Sequence, residues 1–91
     1  MHAVVVKVTI SDLGPAEEYL QNEVVPGVKQ APGFVAGYWT RSDDGSNGNS
    51  IIVFESEEAA RGAADRLQQQ GSGTDAVTLD SVEVREVVAS A

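Results

Sequence analysis

Residues 2–10 read HAVVVKVTI, and strict alternation sorts His2, Val4, Val6, Val8 and Ile10 onto one face and Ala3, Val5, Lys7 and Thr9 onto the other. Val and Ile at this density over nine positions predict a β-strand. A strand with one wet side carries polar residues there. This one carries Ala3 and Val5 beside Lys7 and Thr9, so its second face is mixed rather than charged.

Beyond Ile10, Ser11, Asp12, Gly14 and Pro15 make a break and a helix start, proline being suited to a first helical turn. Ala16, Leu20, Val24, Val28 and Ala31 then recur every three or four residues, the spacing of an amphipathic helix. Pro26 and Gly27 are expected to kink or divide it, because Pro26 cannot donate to the carbonyl of Asn22. Pro32 and Gly33 close it. A second strand spans Phe34 to Arg41, a hairpin loop Ser42 to Asn49, and a third strand Ser50 to Glu55. Ser56 is a suitable N-cap for a second helix, which carries Ala59, Ala60, Ala63, Ala64 and Leu67 and ends at Gly71. Gly71 to Asp75 is a connection. Val77 to Val88 reads as one strand with a bulge at Asp80–Ser81, or as two short strands.

The order β-α-β-β-α-β predicts an α+β domain of ferredoxin-like plan, an antiparallel sheet with both helices on one face. Whichever face the helices cover, the other keeps Val5, either Ile52 with Phe54 or Ile51 with Val53, and either Trp39 or Tyr38. Each such side chain left in water forgoes roughly 1.5–3 kcal/mol. A second copy, sheet against sheet, removes that loss, so the expected assembly is a homodimer forming a dimeric α/β barrel, with residues 1–91 as its single domain.

Composition agrees and excludes several classes of function. A domain of 91 residues buries only about 60–65% of its unfolded surface, and with no cysteine it has no disulfide to compensate. Fourteen acidic residues against six basic ones give a formal net charge of −8. Such a surface repels nucleic-acid backbones, and Lys7, Lys29, Arg41, Arg61, Arg66 and Arg85 are scattered, so neither nucleic acid nor a membrane is an expected partner. No apolar run approaches the roughly 20 residues that cross a bilayer. The strand that begins at His2 leaves no room for a leader pattern, so a cytoplasmic protein is expected.

Three segments carry a family resemblance: Ala31-Pro32-Gly33-Phe34 running into Gly37-Tyr38-Trp39, Val53-Phe54-Glu55-Ser56-Glu57-Glu58-Ala59-Ala60, and Val82-Glu83-Val84-Arg85-Glu86-Val87. Together the chain resembles the small stand-alone dimeric α/β-barrel proteins related to antibiotic biosynthesis monooxygenases. The resemblance implies a homodimer whose last strand reaches across its partner, and a cavity between sheet and helices. It also brings in cofactor-free monooxygenases, haem-degrading enzymes and isomerases. Haem-degrading members use a histidine of the helical region as axial ligand. The helix from Glu57 to Gln70 has none, so no haem, and no cofactor of any kind, is expected.

The candidate cavity residues are Lys7, Thr9, Tyr38, Trp39 and Arg41, with Ser50 as a further polar side chain. Tyr38 and Trp39 are adjacent and so point to opposite faces of their strand. One anchors the core and the other lines the dimer interior. A cavity tryptophan can stack on a flat aromatic ligand, or simply pack. Lys7 holds an anionic or phenolate ligand if it faces the cavity, and discourages aggregation if it lies near an edge. His2 is the only histidine and lies at the chain's start. The loop Asp43–Asn49 fails calcium spacing: from Asp43 the twelfth position is Phe54, and from Asp44 the sixth is Asn49 rather than glycine. With no cysteine and one histidine, no metal site is expected. Two functions follow: a module that binds a small hydrophobic or aromatic ligand or serves structurally, or a cofactor-independent monooxygenase or isomerase acting on a small aromatic, quinol-like compound.

Overall fold

In the computed structural model, which describes residues 1–91, the valine-rich run is strand β1 (His2–Ile10), the second of two central strands. With β2 (Phe34–Arg41), β3 (Asn47–Phe54) and β4 (Val77–Glu86) it forms a four-stranded antiparallel sheet in the order β2-β3-β1-β4. The helices cover one face, which gives the ferredoxin-like βαββαβ arrangement.

The register decides what each face holds. On the helix side, Trp39, Ser50, Val6 and Val82 form one row across the four strands, and Gly37, Ile52, Val4 and Val84 form the next. On the open side the matching rows are Tyr38, Ile51, Val5 and Glu83, then Ala36, Val53, Ala3 and Arg85, then Thr40, Asn49, Lys7 and Ser81. The uncovered apolar residues are therefore Val5, Ile51, Val53 and Tyr38, while Ile52, Phe54 and Trp39 turn inward.

The two helical layers differ in build. Helix α1 (Leu13–Tyr19) passes into a wide π-helical turn (Leu20–Val24) and then α2 (Val25–Lys29), with Leu20, Val24 and Val25 all in right-handed helical conformation. Pro26 explains the wide turn. Its ring would collide with the carbonyl of Asn22 in a regular helix, and an expanded turn moves that carbonyl aside. The expected interruption thus appears upstream of the proline, without dividing the helix. Helix α3 (Glu57–Gln70) starts at Ser56, whose Oγ accepts from the Ala59 N–H at 3.1 Å. Its inner face is alanine, and Ala60 and Ala64 are buried against Val4, Val6, Ile52 and Phe54. Small side chains let α3 lie close on β1, β3 and β4, whereas α1 and α2 approach the strands at few backbone points.

Two strands differ in their bounds from the sequence expectation. β3 begins at Asn47 rather than Ser50, because Asn47, Gly48 and Asn49 already pair with Thr9, Val8 and Lys7 of β1, leaving Ser42–Ser46 as the turn. The last strand is one bulged element ending at Glu86. Lys7 faces Ser81 and Val8 faces Leu79, so Asp80 is the extra residue, and its Oδ2 accepts from Thr9 Oγ1 at 2.6 Å. Only twelve of the 91 residues are buried, which is a thin core for a domain that stands alone.

Candidate functional site

Because α1, the wide turn and α2 stand off the sheet, a cleft of about 650 Å³ lies between them, α3 and the strands. Its floor includes Val6, Trp39, Ser50 and Ile52, its roof Leu20, Val24 and Val28, and its α3 wall Ala63, Arg66 and Leu67. More than half of the lining residues are hydrophobic. The volume falls in the range that takes a small organic molecule.

Trp39 is held by its own strand. The indole lies along β2 over Gly37, where a Cβ would stand 2.8 Å from Cη2 of the ring. Glycine at 37 is therefore what leaves room for the indole above β2. Deeper in, the Phe34 and Phe54 rings meet edge to face at 6.3 Å. At the other end, Arg41 Nε donates to Glu17 Oε1 at 2.8 Å, joining β2 to α1 across the cleft's rim. Arg66 also lines the cleft and makes no ion pair with a carboxylate. The segment Gly71–Thr74 closes one end, and Tyr19 Oη rests on Gly73, leaving no room there for a Cβ. Gly73 has φ 75°, so both its conformation and its neighbour require glycine.

Of the five residues singled out from the sequence, the structure brings Trp39 and Arg41 together at the cleft. Tyr38, Lys7 and Thr9 lie on the opposite face of the sheet, since each is an odd number of register steps from an inward-facing neighbour. Lys7 stands on a central strand, so it neither lines the cleft nor guards an edge. Thr9 is engaged with Asp80. The roof residues, Tyr19 and Arg66 were not singled out from sequence. The signal available for Arg66 was its place between Ala63 and Gln70 on the apolar side of α3.

Carboxylates with displaced titration lie away from the cleft. The Asp44 carboxyl, accepting from Ser42 Oγ, Ser46 Oγ and the Ser46 N–H in the β2–β3 turn, is lowered to about 2. Glu57 is lowered by its hydrogen bond and charge contact with Arg61. No cluster of three or more His, Asp or Glu side chains converges to hold a metal. No histidine, cysteine or methionine lines the cleft, and Tyr19 is the one lining side chain of a type that serves as an axial haem ligand. What the site offers is an apolar enclosure with an indole, one hydroxyl on the floor and guanidinium groups at the rim.

No protein-family model matches the chain, and no curated protein does. Solved structures do. A mutant of MhuD with two manganese protoporphyrin IX bound per active site aligns over 100% of this chain and 98% of its own, with a TM-score of 0.72 and 20% identity; MhuD is described as a haem-degrader from Mycobacterium tuberculosis. HapK from Hahella chejuensis aligns over 100% and 96%, with a TM-score of 0.65 and 14% identity. The ActVA-Orf6 monooxygenase of Streptomyces coelicolor, in complex with Nanaomycin D, aligns over 99% and 92%, with a TM-score of 0.63 and 19% identity. The likeness covers the whole chain and lies in the fold, the one expected from the sequence resemblance.

Proposed function

We propose that this chain is a small-molecule-binding module that works as a homodimer and holds a hydrophobic or aromatic ligand in the cleft beneath α1 and α2. The observation that carries the reading is the 650 Å³ apolar enclosure with Trp39 laid on its floor. A concave, mostly apolar cleft of that size has the make-up of a small-molecule site. Fold neighbours described with porphyrin or Nanaomycin D bound support it. No helix is long and apolar enough to cross a membrane, and a cytoplasmic location is part of the proposal.

The homodimer is supported by the open face of the sheet. Tyr38 is 69% exposed and Ile51 48%, and they share one row with Val5. A contiguous apolar patch in mid-sheet, bordered by Thr40, Asn49, Lys7 and Ser81, has the make-up of an interface. Native mass spectrometry of freshly purified protein tests both parts. A dimer carrying a bound small molecule is expected, and an empty, stable monomer at micromolar concentration rejects the reading.

A second reading, a cofactor-independent monooxygenase or isomerase for quinol-like compounds, is favoured by Trp39 and Arg41 sharing one enclosure. In the oxygenase form an anthrone CH₂ becomes a ketone with one atom of O₂, the other leaving as water with the two hydrogens removed from that carbon. Oxygen uptake on hydroquinones and anthrones, lost in Trp39→Ala, supports it; no uptake above buffer rejects it.

A further inference from the structure

Ser50 is the one polar side chain among the buried residues, at 8% exposure. It sits mid-strand in β3 with Trp39 on one side and Val6 on the other, on the floor of the cleft. The hydroxyls of Thr9 and Thr40, on the other face, are engaged with Asp80 and with the Asn49 carbonyl. The Ser50 hydroxyl has no partner within the protein, and it is not sealed in as His2 Nδ1 is. The hydroxyl therefore opens on the cleft, where it is the one floor side chain free to pair with an oxygen of whatever lies against Trp39.

The geometry points to Ser50 as the group that orients the ligand: its hydroxyl pairs with a ketone or phenolic oxygen on a flat, otherwise apolar molecule that lies against Trp39. This rests on the cleft being a ligand site. The class follows from what surrounds the hydroxyl. A stacking surface beside it favours a ring system. The nearest guanidinium on β2, that of Arg41, is occupied by Glu17, and the unpaired guanidinium of Arg66 belongs to the α3 wall, so what Ser50 itself offers on the floor is a single neutral hydrogen bond. A carbonyl or phenol satisfies that bond, whereas a pure hydrocarbon leaves it unmet.

The test uses 2-naphthol and naphthalene as paired probes, measured by equilibrium dialysis against the wild-type protein, Ser50→Ala and Ser50→Thr, with urea melts alongside. Loss of one neutral hydrogen bond corresponds to roughly a 3- to 10-fold weakening. Ser50→Ala is expected to weaken 2-naphthol by that factor, leave naphthalene unchanged, and melt at or above the wild-type midpoint; Ser50→Thr keeps the wild-type preference. Unchanged 2-naphthol affinity in Ser50→Ala overturns the inference and leaves the cleft standing. Loss of both probes with a lowered midpoint makes Ser50 structural and also overturns it. If neither probe binds the wild-type protein, the ligand-site reading falls and takes the inference with it.

Discussion

Helix α3 and the helical run from Leu13 to Lys29 cover the same sheet, yet α3 lies close along it while the first run buries Ala16 alone and packs Val28 against the core. α3 presents Ala59, Ala60, Ala63 and Ala64, and Ala60 is completely buried. The first run presents Leu20, Val24 and Val28, has no buried residue in its wide turn or in α2, and encloses the cleft. Bulkier apolar side chains did not produce the tighter contact. Side-chain size sets how near a helix axis can come, and an expanded turn ahead of a proline offers the sheet an irregular surface. One helix therefore serves the core and the other serves the cavity.

The comparison predicts unequal mutational costs. Phe54→Ala, under α3, is expected to cost about 3–5 kcal/mol in a urea melt. Ala60→Leu should cost about 1–3 kcal/mol by overpacking the closest approach. Val24→Ala on the roof should cost under about 1 kcal/mol while weakening 2-naphthol several-fold. Equal costs for Ala60→Leu and for Val24→Leu would erase the distinction. Pro26→Ala sharpens it further. With the ring gone the turn can narrow to a regular helix, so a stability change within about 1 kcal/mol should accompany weaker probe binding.

The smallest effect concerns how the first helix is tethered. The β2–β3 turn holds α1 by packing Gly45 on Leu13, beside the Arg41–Glu17 pair at the end of β2. That turn is organised around Asp44, whose carboxyl is lowered from the ordinary 3.8 to about 2. The contribution of a depressed carboxylate is complete above its ordinary value and is lost as pH falls through the folded one. Between about pH 4 and 2, amide exchange in Leu13–Tyr19 should accelerate before exchange in α3. Ser42→Ala should raise the Asp44 midpoint in a carboxyl NMR titration; an unmoved midpoint would detach the turn from the tether.

Much of this fold was legible because alternation and turn chemistry report directly on strands and caps. His2–Ile10, Phe34–Arg41 and the Ser56 cap stand where the sequence put them. The pair Tyr38 and Trp39 shows where legibility ended. Adjacency dictates opposite faces, but only the pairing of Trp39 with Ser50 and Val6 says which face is which. Lys7 and Thr9 went to the far side for the same reason. The roof was unreadable for another. A periodic apolar stripe looks the same whether it touches the sheet or hangs above it, and the stand-off depends on Pro26 acting on a carbonyl four residues away.

The extra residue in β4 carries one last consequence. Val77 and Leu79 before it, and Val82 and Val84 after it, all point inward, although the two pairs differ in parity of number. Removing Asp80 would therefore leave Leu79 in, Ser81 out and Val82 in, an ordinary alternation. At the bulge, a one-residue shortening at Asp80 or Ser81 preserves the facing of every remaining side chain, whereas a shortening well away from it would turn the residues between it and the bulge to the other face. What Asp80 adds is curvature and its tie to Thr9, so the strand's bend is a detachable feature of its length.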